Sequence, residues 1–281
     1  FLKYGTDLHG GQLELAFSGS LLDQQTAGFI YGKNAYRDEA LRQTNTNPDA
    51  WRRANSQRFN ASWQPDGNRA DDSWKLIGFL RRSEMDFLQH FLPGQPVEKN
   101  GQLSGGATLL RYTTLGPARI TAGFDTEIAN GYLEEIQDNA ETGNPPRPQG
   151  RHYDYDVWQY LASAYAQAEL PLDAHWTLTG GLRYEWLRYD YDNRMLAGNT
   201  RDDGTACTPP CLFNRPADRS DDYTTLAPNI GLLLRLNAEN SLYLTLTRGF
   251  RAPQAAELYR LQAGQNVADL DSETIDSAEL G

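Results

Sequence analysis

"YLTLTRGFRAPQAAELY", residues 243–259, begins as a strict alternation and then breaks. Leu242, Leu244 and Leu246 fall on one side, and Tyr243, Thr245 and Thr247 on the other. A period of two is the signal of a strand with one apolar and one polar face. Gly249 permits an irregular backbone, and Pro253 removes a ladder donor, so the strand ends within the Arg-Gly-Phe-Arg-Ala-Pro run. Arg248 and Arg251 flank that end.

The same alternation recurs along the chain. Leu13, Leu15 and Phe17 share one face of "QLELAFSGS", and Phe59, Ala61 and Trp63 one face of "RFNASWQ". Trp74, Leu76, Gly78 and Leu80 follow, then Ile120, Ala122 and Phe124 opposite Arg119, Thr121 and Asp125. "WQYLASAYAQAEL" and "HWTLTGGLRYEW" set Trp158, Tyr160, Ala162, Ala164, Trp176, Leu182, Tyr184 and Trp186 against polar partners such as Arg183 and Glu185. Leu226, Ile230, Leu232 and Leu234 lie opposite Asn229 and Arg235. Soluble sandwiches alternate in the same way, so the connections decide.

Read in order, the connections are a short turn near "SLLD", a long loop at about 34–52, the short "PDGNRADD" and a long loop at about 87–100. Then come the short "LGPA", a long loop at about 136–152, the short "PLDAH", a long loop at about 193–222, and the short "NAEN". A last long segment after Phe250 ends near Ser272. Tight turns at one end and long loops at the other are the rhythm of a transmembrane β-barrel. The strands at 153–170 and 175–192 exceed the roughly 5–6 residues usual in soluble sheets. Trp158, Tyr160, Trp176, Tyr184 and Trp186 sit toward strand ends on the apolar face, where an interfacial girdle belongs. The expected fold is therefore all-β: an antiparallel transmembrane barrel segment of about ten meandering strands.

Composition agrees. The 281 residues carry a net charge of -11, and the mean hydropathy is -0.65. No apolar run is long enough for a transmembrane helix, but a barrel strand needs only about 9–11 residues, half of them apolar. The acidic balance and scattered basic residues exclude nucleic acid as an expected partner. The chain opens at Phe1 without a signal peptide and stops at "DSAELG", which reads as an excerpt of a longer protein.

Cys207 and Cys211, in "ACTPPCLF", are expected to form a small loop disulfide if the protein is exported, the alternative being two loop thiols. No further ligands lie near them for zinc, so no metal site and no cofactor is expected. Catalytic motifs are missing as well: there is no Gly-x-Ser-x-Gly, His-Glu-x-x-His or phosphate loop, and an enzyme is not expected. The acidic "LEEIQD" reads as loop charge, and His90 and His152 as solvated loop histidines.

With these residues in view, "LYLTLTRGFRAPQAAELY" followed by "ADLDSETIDSAELG" resembles the barrel of TonB-dependent outer-membrane receptors, with the family box at Phe250, Arg251, Ala252 and Pro253. "LPLDAHWTLTGGLRYE" and "TTLAPNIGLLLRL" are similar to barrel hairpins of that family. The resemblance implies that residues 1–281 are part of a barrel of about 22 strands whose plug lies elsewhere. It implies a bacterial outer-membrane, multi-pass location and energy-coupled uptake of a ferric siderophore or similar metal chelate. The implied partners are that chelate, the TonB complex acting through the missing plug segment, and outer-membrane lipid and lipopolysaccharide. Haem is disfavoured, because the segment after the box lacks the histidine and Asn-Pro-Asn-Leu stretch of the haem-uptake branch.

Arg151, Tyr153, Arg188, Tyr189, Arg248, Arg251 and Tyr259 are the candidate ligand contacts, since arginine and tyrosine hold anionic chelates through charge-assisted and stacking interactions. A structural alternative has the box arginines paired with acids such as Glu257 or Glu279. Two rival functions remain open: a passive porin-like channel, and a secreted β-rich glycan-binding protein.

Overall fold

A computed structural model describes residues 1–66, 72–266 and 270–281. Eleven strands form one antiparallel sheet in chain order: β1 (Leu2–Asp7), β2 (Gly11–Gln25), β3 (Trp51–Pro65), β4 (Ser73–Leu88), β5 (Val97–Leu115), β6 (Ala118–Gln137), β7 (Gly150–Pro171), β8 (Trp176–Asn193), β10 (Arg219–Arg235), β11 (Ser241–Arg251) and β13 (Glu273–Leu280). Two short strands, β9 (Phe213–Asn214) and β12 (Leu261–Gln262), pair with each other apart from the wall. Among the described residues the sheet is a meander that does not close on itself.

Turns and loops alternate between the two ends as the sequence predicts, with one displacement. "SLLD" lies inside β2, where the register with β3 runs unbroken from Gly11↔Pro65 to Gln25↔Trp51. That segment holds no glycine, whereas His9 and Gly10 take φ of 51° and 68° and make the actual turn between β1 and β2. Leu8 and Gly11 close it with reciprocal backbone bonds. The loop expected at 87–100 narrows to 89–96, because β4 and β5 extend into it. The expected turn "PDGNRADD" falls largely on residues 67–71, outside the described residues, as do 267–269 of the last long connection.

Register sorts the side chains into two faces. Phe124, Ala164, Tyr184 and Leu226 sit directly opposite one another across β6, β7, β8 and β10. One residue along, Asp125, Ser163, Glu185 and Thr225 form the next row, on the other face. Among the described residues no second layer covers the apolar face: Leu242, Leu244 and Leu246 remain 48, 43 and 45% exposed. Phe17, Phe59, Leu76, Leu80, Ile128 and Ile230 on the same face are exposed too. A contiguous apolar surface of this extent is unstable in water and at rest in hydrocarbon.

The opposite face is bound by charge. Arg183 bridges Asp125 at 2.8 Å and Glu185 at 2.9 Å, and Arg81 joins Glu127 and Ser104. We call this face inward. Toward the loop end the apolar outward row gives way to ion pairs: Arg188 binds Asp190 at 2.8 Å and Asp222 at 3.4 Å, and Arg248 binds Asp276 at 2.7 Å.

Candidate functional site: the capped inward face at the loop end

The apolar core lies where long loops fold over the inward wall. Tyr153, Tyr155 and Val157 of β7 and Leu187, Tyr189 and Tyr191 of β8 are buried beneath Phe213, Leu258 and Tyr259. Helix α2 (Ala255–Tyr259), which follows the one-turn α1 (Glu39–Arg42) of the first long loop, carries the last two into place. It starts directly after Pro253, and a capping box sets it: Glu257 accepts the Gln254 backbone N–H at 2.8 Å. Arg251 then ties Glu257 at 3.0 Å and Glu273 at 3.1 Å, joining helix and strands.

The loops are stitched to each other by main-chain and side-chain bonds. Tyr153 donates to the Leu261 carbonyl at 2.7 Å, Leu212 N–H to the Pro146 carbonyl at 2.9 Å, and Ala263 N–H to the Leu212 carbonyl at 2.6 Å. Arg215 donates to the carbonyls of Leu196, His152 and Thr200. Cys207 and Cys211 are joined as a disulfide, and Asn199 bonds Cys211 through both N–H and carbonyl. Reduction should cost the cap about 2 kcal/mol, given the short loop enclosed. Faster proteolysis between 194 and 218 after reduction would show it.

A buried charge cluster fastens the cap to the wall. Arg260, following α2, bonds Glu98 of β5 at 2.8 Å and also Glu135 of β6. Gln89 donates to Glu98 at 2.8 Å and Glu135 at 3.1 Å. His152 sets one ring nitrogen 2.8 Å from Glu135 and the other 2.8 Å from the Pro148 carbonyl, and stacks on Phe213.

Glu135 stands far along β6 from the turn at Gly116, beyond the roughly 9–11 residues that cross a bilayer. Burial works to raise its pKa, but the His152 bond, the Arg260 charge and the Gln89 bond outweigh burial and hold it down at about 2. A depressed carboxyl pKa contributes stability above the unfolded value and loses it as pH falls toward the folded one. The cap should therefore loosen between about pH 4.5 and pH 2. Amide exchange of residues 252–262 across that range would test this, and unchanged protection would rule it out.

Of the candidate contacts, the structure brings Tyr153, Tyr189 and Tyr259 together in the core, with Tyr259 donating to Asp221 at 2.7 Å. Arg251 lies on the inward register. Arg188 and Arg248 sit on the outward register, paired with acids, and Arg151 pairs with Glu134 and Asp154. Of the acids expected for the box arginines, Glu257 takes Arg251, whereas Glu279 accepts from Tyr243.

Two loop readings are corrected. "LEEIQD" up to Gln137 is the end of β6, its Glu135 buried, and His152 is buried at the start of strand β7. Both departures have one cause: β6 and β7 run past any membrane and continue under the cap, so polar residues there pair with each other and not with water. No alternation marks this extension in the sequence: the apolar Leu133 and Ile136 stand three apart, and the register with β7 shifts between Glu135 and Ile136.

The family model described as TonB dependent receptor-like, beta-barrel matches residues 3–281. A search of the curated proteins finds no match. Among solved structures, the ferric-catecholate import receptor Fiu of E. coli, closed form, superposes with a TM-score of 0.62 at 13% identity, over 97% of this chain and 46% of that one. The ferric citrate transporter FecA, unliganded, gives 0.65 at 14% identity, over 91% and 36%. The hemophore receptor HasR of Serratia marcescens, in complex with its hemophore HasA and heme, gives 0.64 at 14%, over 99% and 40%. The chain thus spans less than half the length of each of these structures. A family match over nearly every residue, together with a wall greasy outside and charged inside, shows that the chain belongs to the TonB-dependent receptor family of outer-membrane β-barrels.

Proposed function

We propose that residues 1–281 form part of the barrel domain of a bacterial outer-membrane receptor for energy-coupled uptake of a ferric siderophore or similar metal chelate. The capped inward face carries this reading: long loops fold over the polar side of the wall at one end and are fixed there by a buried, tyrosine-rich core. The receptors Fiu and FecA, which share the fold, are described as importing ferric catecholate and transporting ferric citrate, and this supports an iron chelate as cargo. The TonB complex and a plug are the further partners of the whole protein, with lipid and lipopolysaccharide around the outward face.

Deleting the gene from its parent strain should abolish growth on at least one ferric chelate under iron limitation, with radiolabelled iron uptake as the readout. Uptake unchanged across siderophores, citrate and haem would sink the reading.

A further inference from the structure

Between α2 and the inward wall lies a cavity of about 320 Å³. Its wall side is made by Gln102, Ala129, Gly131, Val157, Gln159 and Tyr189, and its ceiling by residues 254–256. All six wall residues lie on the inward register, with Gln102 opposite Gly131, and Gln159 between Ala129 and Tyr189. Among the described residues, no carboxylate, ammonium or guanidinium lines it. The charged groups nearest in sequence to the ceiling are already engaged, Arg251 with Glu257 and Glu273, and Arg260 with Glu98 and Glu135. Among the described residues, the side-chain amides of Gln102 and Gln159 have no protein hydrogen-bond partner.

We propose that this cavity is a subsite for an uncharged, hydrogen-bonding chelate group of the hydroxamate or amide kind; the inference rests on the uptake reading above. Two unengaged amides supply both donors and acceptors, matching a hydroxamate, whose oxygens accept and whose linking amides do both. Ala129, Gly131 and Val157 give a small apolar floor for methylene spacers. A trianionic chelate would lose its hydration here with no cation to offset the loss. An uncharged ferric trihydroxamate carries no such penalty.

Gly131 provides a clean test. A Cβ built there meets only the Gly101 carbonyl, at 3.5 Å, so a larger side chain fits the wall and projects toward the cavity. The intact receptor, purified in detergent, would be titrated with ferric trihydroxamate, ferric tris-catecholate and ferric citrate. Trihydroxamate should bind at least about tenfold tighter than the tris-catecholate, and Gly131→Val should weaken it about tenfold or more at unchanged melting temperature. Gln159→Leu should weaken it similarly, and carries the test should Gly131→Val fail to fold. Preference for the tris-catecholate or citrate, or unaltered trihydroxamate binding in folded variants, overturns the subsite while leaving uptake intact. Binding of none of the three overturns both.

Discussion

Arg260→Ala should release the cap from the wall. Glu98 and Glu135 are nearly buried, with side chains 8 and 1% exposed, and removal of their shared cation leaves Glu98 without an ion pair among the described residues and Glu135 with only Arg147, at 3.9 Å, and His152. Breaking a buried pair from one side costs about 3–5 kcal/mol; the lower end applies, because Arg260 itself is 30% exposed. The loss should appear as faster deuterium exchange in residues 252–262 and 89–98 of the intact receptor, while the turn ends of the strands keep their protection. Adding Glu135→Gln to Arg260→Ala should recover part of the loss, since one of the stranded charges is then removed. Equal protection in wild type and Arg260→Ala would show that the cap is held by packing alone.

Tyr259→Ala should open the apolar half of the same joint. Tyr259 is fully buried, stacks on Tyr191 with ring centroids 4.3 Å apart, and meets Tyr189 edge-on. Truncating a buried ring of this size costs about 3–5 kcal/mol. Tyr259→Phe keeps the ring and gives up only the bond to the Asp221 carboxylate, about 1.5 kcal/mol, the low end for a charged acceptor because Asp221 keeps Arg219. Limited proteolysis within 252–266 should thus separate the two variants sharply. Similar cleavage rates would mean that the ring contributes little to holding α2.

These two residues also mark how far the sequence could be read. The wall was legible because its pattern is set locally: each strand alternates, and membrane and lumen demand opposite chemistries of neighbouring residues. Tyr259 could be singled out as an aromatic following the box, but not its burial, which depends on β8 residues some 70 positions earlier. Arg260, Glu98 and Gln89 escape notice in the sequence, and His152 reads there as a solvated loop residue, because they meet only when three connections converge. Glu135 was visible as an acid in "LEEIQD", yet its place in an extended strand rests on pairing with β5 and β7. The glutamine cavity left no mark in the sequence at all, since isolated glutamines on a polar strand face are ordinary.

The outward ion pairs near the loop end bear on how the wall sits in its surroundings. Arg188 with Asp190 and Asp222, and Arg248 with Asp276, share their strands with the leucines and aromatics below them. Drawing such pairs down into oil would strip water from several ions at once, and lifting the leucines out would wet them. Each strand therefore resists sliding along its own axis in either direction, much as a float rides at its waterline. Immersion depth should thus be written into the wall itself and be nearly the same from one strand to the next.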